Sequence, residues 1–256
     1  MKYRIVILGT GNVGHHLALQ LSRSGHQISV WNRTTESAQF TASICNAQLL
    51  KELTQIPSET DVCIATLSEN ALIEVCGSLK QFKGILLHTA GSVPMSVLKQ
   101  FAQHYGVLYP LQTFTKSRQP DFRKIPVFIE ASDTFSKQIL FEIAQKNFGF
   151  VNELDSEKRS LLHIAAIFAC NFVNASLVAA QKITETASIP FEHLIPLISE
   201  TIEKLESNPP SANQTGPAVR NNEKIMSKHM QMLDNYPEIK NMYEVISKFI
   251  ISQNTK

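Results

Sequence analysis

The stretch VILGTGNVGHH, residues Val6 to His16, carries an apolar run into a cluster of glycines and then into a helical pattern. No other feature of the chain restricts its fold as much. Gly9, Gly11 and Gly14 lie close together, and each raises the entropic cost of ordering the backbone. Three together mark a place where the chain turns tightly or something approaches it closely. The spacing is G-x-G-x-x-G, which alone is a weak signal. Here Tyr3–Leu8 before it reads as a buried strand, Val13, Leu17 and Leu21 after it form one helical stripe, and Gln27–Trp31 reads as a second strand. In that setting Gly9 makes the turn, Gly11 admits a diphosphate against the backbone, and Gly14 lets the helix pack on the strand. Free amides at the helix start, with the helix dipole, complement the negative charge. Gly9, Thr10, Gly11, Asn12, Val13 and Gly14 are therefore predicted to contact a dinucleotide.

Further strands are predicted at Asp61–Thr66, Ile85–Thr89, Gly106–Leu108, Val127–Glu130 and Phe148–Val151, several of them separated by helical patterns. Short apolar strands alternating with helices indicate a mostly parallel sheet covered on both faces. The pattern then changes. Residues 157–187 lack Gly and Pro and read as one long buried helix; others follow at about 191–206, 218–233 and 237–252, with SNPPSANQTGP as a loop. The expectation is an α/β domain of Rossmann type over residues 1–153, followed by an all-α domain over 154–256.

Bulk properties exclude several classes. The 256 residues are 43% apolar with a net charge of +2, and Lys and Arg are scattered rather than striped, which argues against a nucleic-acid partner. The apolar run after Met1–Arg4 is too short for a signal peptide. No stretch is expected to approach the ~18 apolar residues that span a bilayer. Cys45, Cys63, Cys76 and Cys170 form no CxxC pair and suit neither zinc nor a disulfide framework; Cys63 and Cys170 sit in apolar runs and read as small core residues. No metal and no membrane are expected, and the cytoplasm is the expected compartment.

NAD-binding domains place Asp or Glu at the end of the second strand. In VWNRTTES that region holds Asn32, Arg33 and Thr34 instead. Guanidinium binds phosphate oxygens in bidentate fashion, so an arginine with amide and hydroxyl neighbours suits the 2′-phosphate of NADP(H). The competing reading is that Arg33 is a solvated loop residue. Ligands in open α/β sheets lie beyond the carboxyl ends of the strands. Leu67 and Ser68 after one strand, and His88, Thr89 and Ala90 after the next, are therefore predicted to line the cofactor site.

These motifs together resemble known proteins. VILGTGNVG, VWNRT, DVCIATLSENAL and LHTAGS resemble the N-terminal domain shared by pyrroline-5-carboxylate reductases, 3-hydroxyisobutyrate dehydrogenases and coenzyme F420-dependent NADP oxidoreductases. YPLQTF (Tyr109–Phe114), HIAAIFACNF (His163–Phe172) and TGPAVRNNE (Thr215–Glu223) resemble Rossmann-like proteins with a DUF2520 helical C-terminal domain. The resemblance covers nearly the whole chain. It implies an NADP-binding domain and an all-α domain that pairs into a homodimer, with the active site between the two. It points to His163, Asn171, Thr215, Gly216, Pro217 and Arg220 on the substrate side. Two positions depart from it. Tyr109 stands where the family pattern begins with His, and Ile167 stands where 3-hydroxyacid dehydrogenases carry a lysine, four residues before the helix asparagine.

With that lysine absent, another group must hold the proton. His163 can titrate near neutral pH and act as a general acid, or it is a core histidine satisfied internally. On a regular helix it lies about 80° round and about 12 Å along from Asn171. Asn171 is expected as a buried amide that binds substrate. Thr215 and Gly216 lead into a helix bearing Arg220, whose start could grip a carboxylate or phosphate; a capped helix start is the plainer reading. Two functions stay open: an NADP(H)-dependent oxidoreductase acting on a small carbonyl or imine, anionic if Arg220 grips it, with F420 open as a redox partner, and a non-catalytic NADP-binding or redox-sensing protein. An S-adenosylmethionine site fits less well, because of Gly14 and Asn32–Thr34.

Overall fold

The fold was taken from a computed structural model, which describes residues 1–79 and 81–254. The N-terminal part is built on one eight-stranded sheet of order β3-β2-β1-β4-β5-β6-β7-β8. The first crossover runs from β1 (Arg4–Leu8) through α1 (Asn12–Arg23) to β2 (Gln27–Trp31), and then through α2 (Thr35–Cys45) to β3 (Gln48–Leu49). The sheet grows the other way through β4 (Val62–Ala65), α3 (Glu69–Gly77), β5 (Phe82–His88) and β6 (Ala102–Pro110). Neighbouring strands are parallel as far as β6. Then β7 (Pro126–Ala131) runs antiparallel to β6, and β8 (Phe150–Glu153), reached through α4 (Thr134–Asn147), is parallel to β7.

Both faces of the sheet are covered, and the sequence alternation shows how. Ile5, Ile7, Val62, Ile64, Ile85 and Leu87 face one apolar core, packed with α1, α2 and α4 residues such as Leu17, Leu21 and Leu140. Val6, Leu8, Cys63, Ala65 and Leu86 face the other, with Leu72 and Cys76 of α3. A period of two with apolar residues on both sides is what a doubly covered sheet requires.

The chain divides into two compact units, Met1–Asn171 and Phe172–Lys256. The boundary expected at 153/154 coincides with the end of β8, but the next helix, α5 (Ser156–Ala166), belongs to the first unit. Its side chains explain this. Ser156 Oγ donates to Glu130 of β7 at 2.8 Å, Arg159 pairs with the same carboxylate, and His163 meets Tyr109 of β6.

The single buried helix predicted over 157–187 is corrected in two respects. Ile167–Phe172 is a π-helical stretch between α5 and α6 (Val173–Thr186). The run is also exposed within the chain, with Leu161, Ile164, Phe168, Phe172 and Val178 on its surface. Composition reports a need for burial without saying what buries the side chains. By length and composition Ser156–Thr186 can cross a membrane, with none of its apolar window buried, contrary to the expectation that no stretch comes near. Cys170 lies on this surface and is exposed, whereas Cys45, Cys63 and Cys76 are buried.

The second unit continues as α7 (Ile195–Glu203), α8 (Glu223–Met232) and α9 (Pro237–Asn254). The helices predicted over 191–206 and 218–233 are shorter than expected. Short 3-10 turns at Phe191–Leu194 and Lys204–Glu206 flank α7, and α8 starts only after Asn222, whose side chain accepts from the Ile225 amide.

Candidate functional site

The glycine turn is built from three mutual constraints. Gly9 has φ +94°, in the left-handed region, and a Cβ there would come within 2.7 Å of the Thr66 carbonyl. Its amide donates to the Trp31 carbonyl at 2.8 Å, joining the turn to β2. Thr66 Oγ1, just beyond β4, donates to the Gly9 carbonyl at 2.7 Å. Gly14 packs against the Gly9 carbonyl and Thr66, where any Cβ would collide. Gly11 differs, since nothing lies within 4 Å of where its Cβ would be. It caps α1 with no side-chain hydrogen bond, so the first amides of α1 lack helical acceptors, and free space opens beside them at Gly11.

That space is part of a cleft of about 420 Å³. Of the predicted cofactor residues, Gly9, Gly11, Asn32, Arg33, Thr34, Leu67 and Ser68 line it. Asn32 acts as a strut: its Oδ1 accepts from the Thr10 amide at 3.1 Å, and its Nδ2 donates to Thr34 Oγ1 at 2.7 Å. Arg33 is exposed at the rim and makes no hydrogen bond or ion pair among the described residues. Thr34 caps α2, which brings a second helix N-terminus to the same rim. Thr10 is buried, so its role is through the turn rather than the cleft surface. Asn12, Val13 and Gly14 lie at the start of α1 and do not line the cleft.

Several lining residues escaped the sequence reading. Trp31, Leu53, Thr66, Ala71, Glu74, Val75 and Ser78 complete the walls. Trp31 and Thr66 carried a usable signal, each sitting at or just past a strand end. The others come from α3 and a 3-10 turn whose positions no motif marks. Beside the glycine turn, Lys116 Nζ donates to Ser37 Oγ at 3.1 Å, and Thr10 Oγ1 to the same Ser37 oxygen at 2.9 Å. This brings a cation from the segment after β6 close to the turn.

The end of β5 holds a different cluster. His88 is fully buried and so presents no side chain to the first cleft, a correction to its predicted place there. Its Nδ1 accepts from the Ala90 amide at 3.1 Å, while Nε2 is buried and makes no hydrogen bond of good geometry among the described residues. Burial, and secondarily the Arg159 charge, pull this imidazole down to about 4. Thr89 and Ala90 are half-buried and lie outside that cleft as well. Gly91 packs directly on the His163 ring, where a Cβ would sit 2.6 Å from Cγ and Nδ1. Tyr109 Oη lies 3.1 Å from the same Nδ1, with the rings edge to face. Burial raises the Tyr109 phenol above its ordinary value, opposed by the Arg159 charge. Arg159 is buried and held by Glu130, the Val93 carbonyl at 2.5 Å and Ser156 Oγ at 3.2 Å.

Asn171 is exposed, contrary to the expectation of a buried amide, and it lies within the π-helical stretch. Regular helical angles between His163 and Asn171 therefore do not apply, because a π turn changes the phase. Thr215, Gly216 and Arg220 belong to the second unit. Gly216 has φ +108°, and Arg220 lies in the turn before α8 rather than on a helix. Thr215 and Pro217 line an apolar groove of about 320 Å³ with Ile183, Ile239, Met242 and Ile246; Arg220 does not.

Two family models match successive parts of the chain, and the second match begins within the sheet rather than at the boundary between the compact units. Residues 4–87 match the model of the coenzyme F420-dependent NADP oxidoreductases, and residues 125–250 match the DUF2520 domain of unknown function. Among curated proteins none matches significantly. A solved structure from Bacteroides fragilis, assigned as an NADP oxidoreductase, is 37% identical, covers 98% of each chain and superposes with a TM-score of 0.92. An imine reductase from Pseudomonas sp. is 14% identical over 98% of this chain and 92% of its own, with a TM-score of 0.66. A 1-pyrroline-5-carboxylate reductase from Streptococcus pyogenes is 13% identical over 98% and 99%, with a TM-score of 0.64. The last two share the fold. The chain therefore belongs to the family of NADP oxidoreductase-like proteins in which an F420-dependent NADP oxidoreductase domain is followed by a DUF2520 domain.

Proposed function

We propose that the protein is an NADP(H)-dependent oxidoreductase acting on a small carbonyl or imine substrate. The observation that carries this reading is the Arg33 guanidinium at the rim of the cleft, unpartnered among the described residues. It stands beside the N-terminus of α2, where an NAD-specific site would hold a carboxylate. The free amides of Asn12, Val13 and Gly14 would hold the diphosphate against Gly11, whose missing Cβ leaves the space open. Arg33 and Thr34 would hold the 2′-phosphate, and Lys116 adds positive charge near the turn.

The bound nicotinamide supplies or accepts the hydride. The chain must then orient the ring, exclude water and keep a proton near the substrate heteroatom. His163 is the group assigned to hold that proton, because the position of the hydroxyacid-dehydrogenase lysine is Ile167. Asn171, Thr215, Gly216 and Arg220 stay as proposed substrate-side residues. The same Ile167 favours the second reading, a protein that binds NADP without turnover. Titration with NADPH and NADH, followed by nicotinamide fluorescence, tests the cofactor. Arg33→Ala should weaken NADPH binding about tenfold to a hundredfold, as loss of a charge-assisted contact does, and leave NADH unchanged. Equal binding of both cofactors by the unaltered protein overturns the assignment. Loss of absorbance at about 340 nm with keto or imino acids then separates an enzyme from a binding protein.

We also infer that the helical unit pairs with a second copy of the chain. Supporting this are the exposed apolar side chains Val178, Ile183, Ile246 and Phe249 on α6 and α9. A membrane is the weaker partner for this surface. The first turns of Ser156–Thr186 are tied to the sheet through Ser156, Arg159 and His163, and α6 alone has 14 residues, against about 20 for a span. The reading places the protein in the cytoplasm.

A further inference from the structure

We propose that Tyr109 is a positioning residue that holds His163 in the tautomer with the proton on Nε2, ready to face substrate. Gly91 leaves the gap in which the ring is held. This rests on the reading of His163 as the proton-bearing group.

Tyr109 is buried on β6, and its hydroxyl has one polar partner among the described residues, His163 Nδ1 at 3.1 Å. The phenol must therefore give its hydrogen to Nδ1 or leave it unpaired away from water, which is costly. Burial also keeps the phenol protonated. If Nδ1 accepts, the neutral imidazole must carry its hydrogen on Nε2. Nε2 has no partner among the described residues, and His163 is half-buried, so this nitrogen is free to donate. Gly91 sets how closely the backbone approaches the ring: a Cβ there would lie 2.6 Å from both Cγ and Nδ1, so the ring would have to shift from its place against Tyr109.

The charged neighbours do not take over this role. Arg159 is occupied by Glu130, the Val93 carbonyl and Ser156. His88 accepts the Ala90 amide at Nδ1, and burial keeps its ring neutral. The tyrosine at 109, which departs from the histidine of similar sequences, thus keeps a function. It acts through His163, and a phenol does this without the ambiguity of two titrating imidazoles side by side.

The test needs no cofactor or substrate in its first arm. The full-length protein with ring-labelled histidines is followed by nitrogen-detected NMR at alkaline pH, where imidazoles are neutral. The His163 signal is assigned by its loss in His163→Gln. In the unaltered protein His163 should be the Nε2–H form. Tyr109→Phe should reduce that preference about fivefold, the weight of one ordinary hydrogen bond. Gly91→Ala should act in the same direction and serves as an independent variant. An Nδ1–H form in the unaltered protein, or a tautomer ratio unchanged in both variants, overturns the proposal.

The second arm follows NADPH oxidation with pyruvate and with a cyclic imino acid. Tyr109→Phe should lower kcat with the KM for NADPH unchanged. If His163→Gln lowers kcat and Tyr109→Phe does not, the positioning role fails while the reading of His163 stands. If neither variant alters turnover, the reading of His163 fails, and the proposal with it.

Discussion

The two units of this chain solve the burial problem differently. The first encloses two apolar cores on either side of its sheet, and its buried polar groups are largely paired. In the second, the buried apolar residues among those described are Ala218 and Leu233, while Ile195, Leu197, Ile202, Met232, Val245 and Phe249 are exposed. Exposed apolar side chains of this size are what the proposed pairing of the helical unit would cover. The contrast teaches that the nucleotide-binding unit encloses its apolar residues within itself, whereas the helical unit leaves most of its large apolar side chains exposed.

The largest expected effect tests the self-sufficiency of the first unit. Glu130→Ala strands the buried Arg159 guanidinium and should cost about 3–5 kcal/mol, as removing one partner of a buried ion pair does. Urea unfolding should show the loss at every protein concentration. A cost under about 1 kcal/mol would mean that the pair contributes no more than a surface salt bridge. Next, Ile246→Glu places a charge in the apolar groove of the second unit. It should weaken self-association by about 2 kcal/mol, roughly thirtyfold, the scale of an interface hot spot. Sedimentation velocity over a range of concentrations reads this directly. An unchanged distribution would show that the exposed face does not join two copies.

The smallest effect concerns acid. His88 is held near 4 in the fold, against 6.5 for a free imidazole, by burial first and by Arg159 second. Its neutral form is the folded one, so its contribution is fully present above about pH 6.5. As pH falls from there towards 4, the unfolded chain takes up the proton first, and stability drops by up to about 1.4 kcal/mol per pH unit. His15 and His26 are lowered in the same sense, again mainly by burial. His88→Gln should make the decline in urea midpoint between pH 7 and 5 shallower. Identical slopes would show that the first unit's acid sensitivity arises elsewhere.

Much of the first unit was legible in the chain itself. The strand–glycine–helix pattern marked β1, α1 and β2, and the missing acid after Trp31 marked Arg33, because these signals are local and each residue acts through its own backbone or charge. The two-residue β3 was missed, since so short a strand carries no periodicity. The full length of β6 was missed because Gln103 and His104 interrupt its apolar run. His88 looked like a site residue because strand ends usually are; only the fold reveals that its ring turns inward.

The amino-acid order by itself determined the doubly covered sheet, the glycine turn and the cation where a 2′-phosphate would lie, because hydrophobic period, absent side chains and formal charge are properties of neighbouring residues. Tertiary structure alone decided that Tyr109 meets His163, that Gly91 seats the ring, that Arg159 is buried against Glu130 and that the apolar helix lies exposed. Each of these depends on groups far apart along the chain, and no local pattern records which distant surface a side chain will meet.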